Sequence, residues 1–499
     1  MELIKNSLDR DVPVSYKGRD LVPYRGHKPM HRGSKVVSLE EAIKRVGLKD
    51  GMTVSFHHQL RQGDNVLNTV MAAVAKMGIK NLRLAPTAMF PVNEPVVDHI
   101  KNGVINRIEG SMNGPVGDFV CHNPDALIEP GILRSHGRRG AAIKSGELPI
   151  DVAFIAASES DEHGNCNGIW GESAFGPMAY SYVDSIYAKK VVIVTDNIQK
   201  YPIVWQDITE DKVDYVVQVD SIGDPDKIVT GSLSITTDPM RLKIARYAAD
   251  LVDAAGLIKD GLNFQSGAGG MSLAATKDVG DLLEERDVVA NMVIGGTTKF
   301  VFDIYEAGRV RMVHVGQAFD KATLEFCRTH EMGKEWAPMN IPHYASPISG
   351  SRGVDHLDVV FLGGTEVDVN FNVNVNTHSD GRLLHGIGGH QDTAAGAWLT
   401  IVLTPILRKT NPIIRDRVTT VTTPGQVVDA IATDRGVAIN PRRKDLLELV
   451  KGSDLPVVPI EELRDMAYEE VGGAPAPPDI DKSKVAAYIH WLDGSVRCV

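Results

Sequence analysis

The feature that most restricts the fold of this chain is that it repeats itself. Lys49-Asp50-Gly51 leads into an apolar run from Met52 to Phe56, and Lys259-Asp260-Gly261 leads into Leu262 to Gln265. About a hundred residues further on in each copy, the run Asp151 to Ile155 is matched by Asp358 to Leu362. Ten residues past each of those aspartates the pattern D-x-x-x-N-x-N occurs, as Asp161, Asn165 and Asn167 and again as Asp368, Asn372 and Asn374. One tripeptide match would mean little, whereas three landmarks in register imply a structural unit built twice.

Each unit reads as α/β. Short Val/Ile/Leu-rich runs at 152–156, 191–195, 359–362 and 400–403 are bounded by turn residues, which suits parallel strands covered on both faces. Residues 66–77 carry apolar side chains at helical spacing, stop at Gly78 and give way to a short strand from Asn81. Ser38 with Glu41 reads as a capping box opening an earlier helix. The chain therefore divides into an arm (1–35), two homologous open parallel-sheet domains (36–235 and 236–460) and a tail (461–499). Within the tail, 472–478 reads as an extended linker, and Val485 to Leu492 alternates in a way that suits a strand. Ligands of open α/β sheets bind beyond the carboxyl ends of the strands, so the two units should share one cleft.

Composition excludes several classes. Apolar residues make up 43% and charged residues 23%, an ordinary globular balance. The net charge of −11 and the lack of any dense Lys/Arg block argue against nucleic acid as a partner. A polyanionic substrate would need its own local cluster of cations and N–H donors against this overall field. Cys121, Cys166, Cys327 and Cys498 are far apart and form no CxxC pair, so neither disulfides nor structural zinc is expected. No secretion-type apolar segment opens the chain, and 394–407 falls short of the ~20 residues that a membrane helix needs. The expected compartment is the cytoplasm, with no membrane association.

Two glycine loops stand out, Gly267-Ala268-Gly269-Gly270 and Gly386-Ile387-Gly388-Gly389, each read as following a strand and preceding a helix. Such loops can aim successive N–H groups at an anion or oxyanion, or they can be no more than tight turns. Neither matches the dinucleotide pattern G-x-G-x-x-G, since Ser272 and Gln391 occupy the sixth positions, and no P-loop is present. His57, His58, Arg61 and Asp64 form a polar group directly after a strand, where they could clamp carboxylates or simply hydrogen-bond a surface loop. Adjacent histidines on an extended chain point to opposite faces, so at most one of the two faces the cleft. Arg134 to Arg139, including Ser135 and His136, has the same two readings. His385 and His390 bracket the second loop without a third metal ligand at usual spacing, and no metal is expected.

With these residues in view the chain resembles the citrate lyase alpha subunit family, within the CoA-transferase superfamily. The resemblance rests on Asp50 to His58 with Arg61 and Gly63-Asp64, on Ser135-His136-Gly137, and on Ser145 to Leu148 with Asp151 to Phe154. It continues through Gly269-Gly270 with Ser272 to Ala274, Leu357 to Val360, Phe371 to Val375, Ser379 to Gly381, and Gly388 to His390 with Asp392-Thr393. It ends in Thr433-Asp434 and Ala438 to Pro441, in kept order over about residues 36–499. Citramalate lyase alpha subunits and more general acyl-CoA transferases or hydrolases of the superfamily remain alternatives.

The resemblance implies an exchange in which citrate replaces acetate on a thioester. The carrier is an acyl carrier protein (gamma subunit) with a CoA-like prosthetic group, or CoA itself, in a complex with a beta subunit that cleaves the citryl thioester. No cofactor bound covalently to this chain is implied. Related CoA-transferases place a nucleophilic Glu shortly after an E-V-D-like strand; Glu366-Val367-Asp368 is present here, yet no glutamate follows until Glu448. A direct route through a mixed anhydride is therefore expected. In that scheme Gly388, Gly389, Gly269 and Gly270 supply oxyanion or thioester contacts, with Gly267 and Gly386 in the same thioester-binding loops. His57, His58, Arg61, Ser135 and His136 bind citrate, and Asn374, His390 and Asp392 orient the reacting groups.

Overall fold

The computed structural model describes residues 3–5, 11–13, 33–228, 235–481 and 483–498. Most of the expected 1–35 arm lies outside the described residues. The first sheet holds β1 (Val36–Val37), β2 (Thr53–Phe56), β3 (Leu82–Pro86), β4 (Ile105–Ile108), β5 (Val152–Ala157), β6 (Lys190–Thr195) and β7 (Tyr215–Gln218). All are parallel, in the order β1-β7-β6-β5-β2-β3-β4. The second holds β8 (Asn263–Ser266), β9 (Ala290–Thr297), β10 (Val310–Ala318), β11 (Trp336–Pro338), β12 (Val359–Gly363), β13 (Leu399–Leu403), β14 (Ala430–Thr433) and β15 (Gly436–Ile439). Its order is β11-β10-β9-β8-β12-β13-β14-β15. Strands β2, β3, β4, β5, β6 and β7 thus occupy the places that β8, β9, β10, β12, β13 and β14 take in the other sheet.

The four runs read as buried parallel strands are β5, β6, β12 and β13. Every residue of β5 and β13 is buried, as expected for strands with helices on both faces. One departure is the edge strand β15, which pairs antiparallel with β14. Only Asp434 and Arg435 separate the two strands, too few residues for the crossover that a parallel neighbour requires.

The repeat extends to individual hydrogen bonds. Asp151 accepts from the Thr53 N–H at 2.8 Å, and Asp358 accepts from the Asn263 N–H at 2.7 Å. Asp50 and Asp260 likewise accept from Lys80 and Val289, each at 2.8 Å. The D-x-x-x-N-x-N pattern forms a small three-stranded sheet twice. Glu159–Asp161 pairs with Cys166–Asn167 and Ile198–Gln199, and Glu366–Asp368 pairs with Val373–Asn374 and Ile414–Arg415. In each copy the Asp carboxylate collects N–H groups of the following turn, a local alternative to strand pairing that Asp readily provides.

Helices start where the sequence signals them. Ser38 accepts from the Glu41 N–H at the start of Leu39–Arg45, although Glu41 itself turns to Arg45 instead of completing the box. The helix expected at 66–77 spans Val66–Lys76. In the tail, Ile460–Glu470 packs on the second unit through Ile460, Leu463 and Ala467. The alternating segment forms Ala487–His490, which crosses to the first unit and pairs parallel with Gly131–Leu133.

Candidate active site

The carboxyl ends of both sheets face one another, and the loops leaving them mesh. Asn113 Oδ1 accepts from the Gly386 N–H at 2.7 Å, and the His136 N–H donates to the Gly388 carbonyl at 3.0 Å. Asp392, on helix His390–Gly396 of the second unit, reaches across to the amino end of helix His136–Ser145 in the first. Its carboxylate accepts from Ser135 Oγ at 2.7 Å and from the Gly137 N–H at 3.0 Å. It therefore caps the orphan donors of a helix in the opposite unit. Burial lifts the Asp392 pKa to about 7 despite the Gly137 N–H and the Ser135 hydroxyl.

Beside this cap lies a group of aromatic and amide side chains. His58 stacks on His136, with ring centroids 5.5 Å apart, and tilts against Tyr180 at 4.5 Å; its Nδ1 is 2.6 Å from Thr87 Oγ1. The Tyr180 hydroxyl lies 3.4 Å from His136 Nε2 and donates to Gln317 Oε1 at 3.1 Å, while Gln317 Nε2 donates to the His58 carbonyl at 3.3 Å. Tyr344 pairs with Gln265 at 2.9 Å. Burial and then the Arg139 charge hold His136 neutral, with a pKa of about 3; burial followed by the charge of His136 puts His58 well below its usual range. Arg61 lies between the Phe90 and Phe319 rings, 5.0 Å from each centroid, and burial lowers it to about 10.

The floor of the cleft is glycine. A Cβ added at Gly363 would meet nothing within 4 Å, one at Gly269 only Ser272 Oγ at 4.0 Å, and one at Gly388 only His136 Nε2 at 3.9 Å. Gly388 has φ +63°, a conformation that a side chain would strain. Gly269 precedes helix Gly270–Glu285, so the first N–H groups of that helix border the open space.

Other expected site residues have structural duties. His57 turns away from His58, as the extended backbone requires, and its Nε2 lies 3.2 Å from the buried Asp184, which Arg139 grips with both terminal nitrogens. Burial alone would raise Asp184, but Arg139 and His57 hold it far below the carboxylate range. Arg134 pairs with Glu109 and Glu147, and Arg138 with Glu147; of the basic run Ser135, as a helix cap, and His136 enter the cluster, and Arg139 lines one small cavity with Thr87, His136 and Tyr180.

Asn374 is fully buried, with its amide on Glu366 and Thr377; it is the twin of Asn167, which binds Glu159, and so it shapes a turn. His390 has both ring nitrogens engaged, by Thr423 Oγ1 and the Gly363 carbonyl, while His385 lies against the Gly386 carbonyl. The Gly267 N–H donates to the Phe361 carbonyl. Gly386 follows no strand: it ends an irregular stretch after Val373–Asn374. A Cβ there would fall 1.7 Å from Ser111 Oγ, so this glycine permits close approach of the two units.

The match to the family model for the citrate lyase alpha subunit runs over residues 33–499. The chain belongs to the citrate lyase alpha subunit family. The citrate lyase alpha chain of Haemophilus influenzae is 42% identical over 461 residues, covering 92% of this chain and 91% of its own. The Streptococcus mutans alpha subunit, solved in complex with citrate, is 41% identical with a TM-score of 0.90, covering 95% of this chain and 92% of that one. The malonate decarboxylase alpha subunit of Acinetobacter baumannii, at 15% identity and TM-score 0.62 over 88% of this chain and 84% of its own, shares the fold. Membership in the alpha-subunit family makes this chain an enzyme with transferase activity and a component of a multi-subunit citrate lyase. Among the described residues, no helix is long and apolar enough to cross a membrane.

Sequence reasoning missed Thr87, Tyr180, Gln265, Gln317, Tyr344 and the open Gly363. A signal existed for Gln265: the repeat puts it at the place of Ser55, two residues before the loop that holds His57 in one copy and Gly267 in the other.

Proposed function

We propose that the chain exchanges acetate for citrate on a carrier thioester, without a covalent acyl-enzyme. A citrate carboxylate oxygen attacks the acetyl carbonyl and the thiolate leaves, giving an acetyl–citryl anhydride. The thiolate then attacks the citryl carbonyl and acetate leaves. The observation that carries this reading is that the buried carboxylates nearest the cleft are committed. Asp392 holds Ser135 and Gly137, Asp184 holds Arg139 and His57, and Glu366 holds Arg415, Asn374 and Thr419.

A reaction without a protein nucleophile relies on holding both substrates in attack geometry and stabilising two tetrahedral oxyanions. The N–H groups of Gly269, Gly270, Gly388 and Gly389 suit the oxyanions. Arg61, His58 and His136 form the best citrate contacts: a fixed guanidinium for bidentate carboxylate binding beside neutral imidazoles. The partners in this reading are a carrier subunit with a CoA-like thioester arm and a lyase subunit, in the cytoplasm.

The test is incubation of the purified chain with acetyl-CoA and citrate, with mass identification of citryl-CoA and acetate, and citramalate run in parallel. Borohydride treatment during turnover should leave the protein mass unchanged; a reduced acyl-enzyme would remove the direct route.

A further inference from the structure

The open carboxyl end of β12 adjoins a group of cations that the chemistry above does not use. Arg408, in the hairpin of Leu407–Arg408 and Asn411–Pro412, donates through Nη2 to the Gly364 carbonyl at 2.7 Å. Gly364 follows Gly363, whose carbonyl accepts from His390, so the Arg408 guanidinium is fixed at the edge of the glycine floor. Lys409 continues the turn and is exposed. Arg241 is exposed in the first turn of helix Pro239–Ala254. That helix is tied to the same region because Lys243 Nζ donates to the Asp434 carbonyl at 3.0 Å, and the Asp434 carboxylate accepts from the Ile406 N–H at 2.9 Å.

Neutralising partners are sparse. Arg241 has Asp238 at 3.7 Å, and among the described residues no carboxylate comes within ion-pair distance of Arg408 or Lys409. Desolvation and then the Arg241 charge lower Arg408 from its usual value, although the residue as a whole is exposed. In a chain of net charge −11, an anchored and weakly compensated Arg408 together with the exposed Lys409 and Arg241 marks a place for a polyanion.

The reading of the reaction given above, on which this step rests, sets citrate against Arg61, His58 and His136 and the reacting carbonyl over the glycine floor. The rest of the thioester donor must then leave over the rim. We propose that Arg408, Lys409 and Arg241 bind the phosphates of the donor's nucleotide-containing arm. The cations thereby hold the thioester end over Gly363 and Gly388 without touching the reacting atoms.

The experiment compares acetyl-CoA with acetylpantetheine, which lacks the phosphates, in the intact chain and in Arg408→Gln and Arg241→Gln. The ratio of kcat/KM for acetyl-CoA to that for acetylpantetheine should fall about tenfold or more in Arg408→Gln, the size expected for loss of a charge-assisted hydrogen bond. It should fall less in Arg241→Gln. An unchanged ratio in both variants overturns the rim and leaves the exchange reaction standing. A raised KM for citrate at unchanged ratio also overturns it, assigning the cations to citrate. If the intact chain exchanges no acyl group, the reaction itself falls, and calorimetric titration with CoA alone then judges the rim. A tenfold weaker, less salt-dependent affinity in Arg408→Gln supports it, and equal affinities overturn it.

Discussion

Gly388 and Asp392 show how much rests on single residues at the cleft. Gly388 combines φ +63° with an N–H beside the proposed oxyanion and a carbonyl that anchors His136. Gly388→Val should lower turnover by about 10²–10³-fold, the range for losing an oxyanion donor. Gly388→Asn, which tolerates the left-handed region, should keep more activity at similar thermal stability; equal losses in the two variants would remove the backbone argument. Asp392 makes a prediction about pH. Its folded pKa of about 7 lies above the ordinary 3.8, so the folded chain retains a proton that the unfolded chain releases. The stability from this group is fully present below pH 3.8 and is lost as pH rises through about 7. Asp392→Asn should flatten that part of the decline, measured as urea-unfolding free energy from pH 4 to 7.5, by on the order of 1–3 kcal/mol.

The repeated elements offer a matched pair of perturbations. Asp151 and Asp358 each receive one N–H from the first residue of a central strand, so Asp151→Ala and Asp358→Ala should each cost about 1–3 kcal/mol. Similar losses are expected because the two sites are the same site built twice; a loss confined to one copy would mean that lysine pairing at Asp151 dominates. This duplication was also the most legible part of the sequence. The runs at 152–156, 191–195, 359–362 and 400–403 became central strands because their apolar character reports burial on both faces. Asn374 drew attention for the same reason that the repeat was found: a patterned polar residue in a turn looks the same whether it serves chemistry or shape, and its amide is engaged by Glu366 and Thr377. Gln317 and Tyr344 were invisible because their roles come from contacts among residues far apart in the chain, and no local spacing encodes those; Gln265 alone had a signal, in its place opposite Ser55 in the repeat. The clefts of His57 and His58 were half legible, since strand alternation separated the two rings but could not say which one met Asp184.

For the molecule as a whole, the joint between the units is close and combines polar contacts with a shared apolar core, in which Ile341, Tyr344 and Leu357 of the second unit cluster with side chains of the first. Gly386→Ala would drive a methyl toward Ser111, with a built separation of 1.7 Å to Oγ, and should part the Asn113 and His136 contacts. The expected result is a lower Tm and a rise in KM for both citrate and acetyl-CoA of about tenfold or more. Unchanged KM values would show that this joint does not set the cleft. The tail has a mechanical consequence. The chain passes from the first unit to the second after β7, and then returns in Ala487–His490 to pair with Gly131–Leu133. A chain that leaves one unit and later comes back to it acts as a stitch across the joint, so the two cannot be drawn apart without first undoing the pairing of Ala487–His490 with Gly131–Leu133.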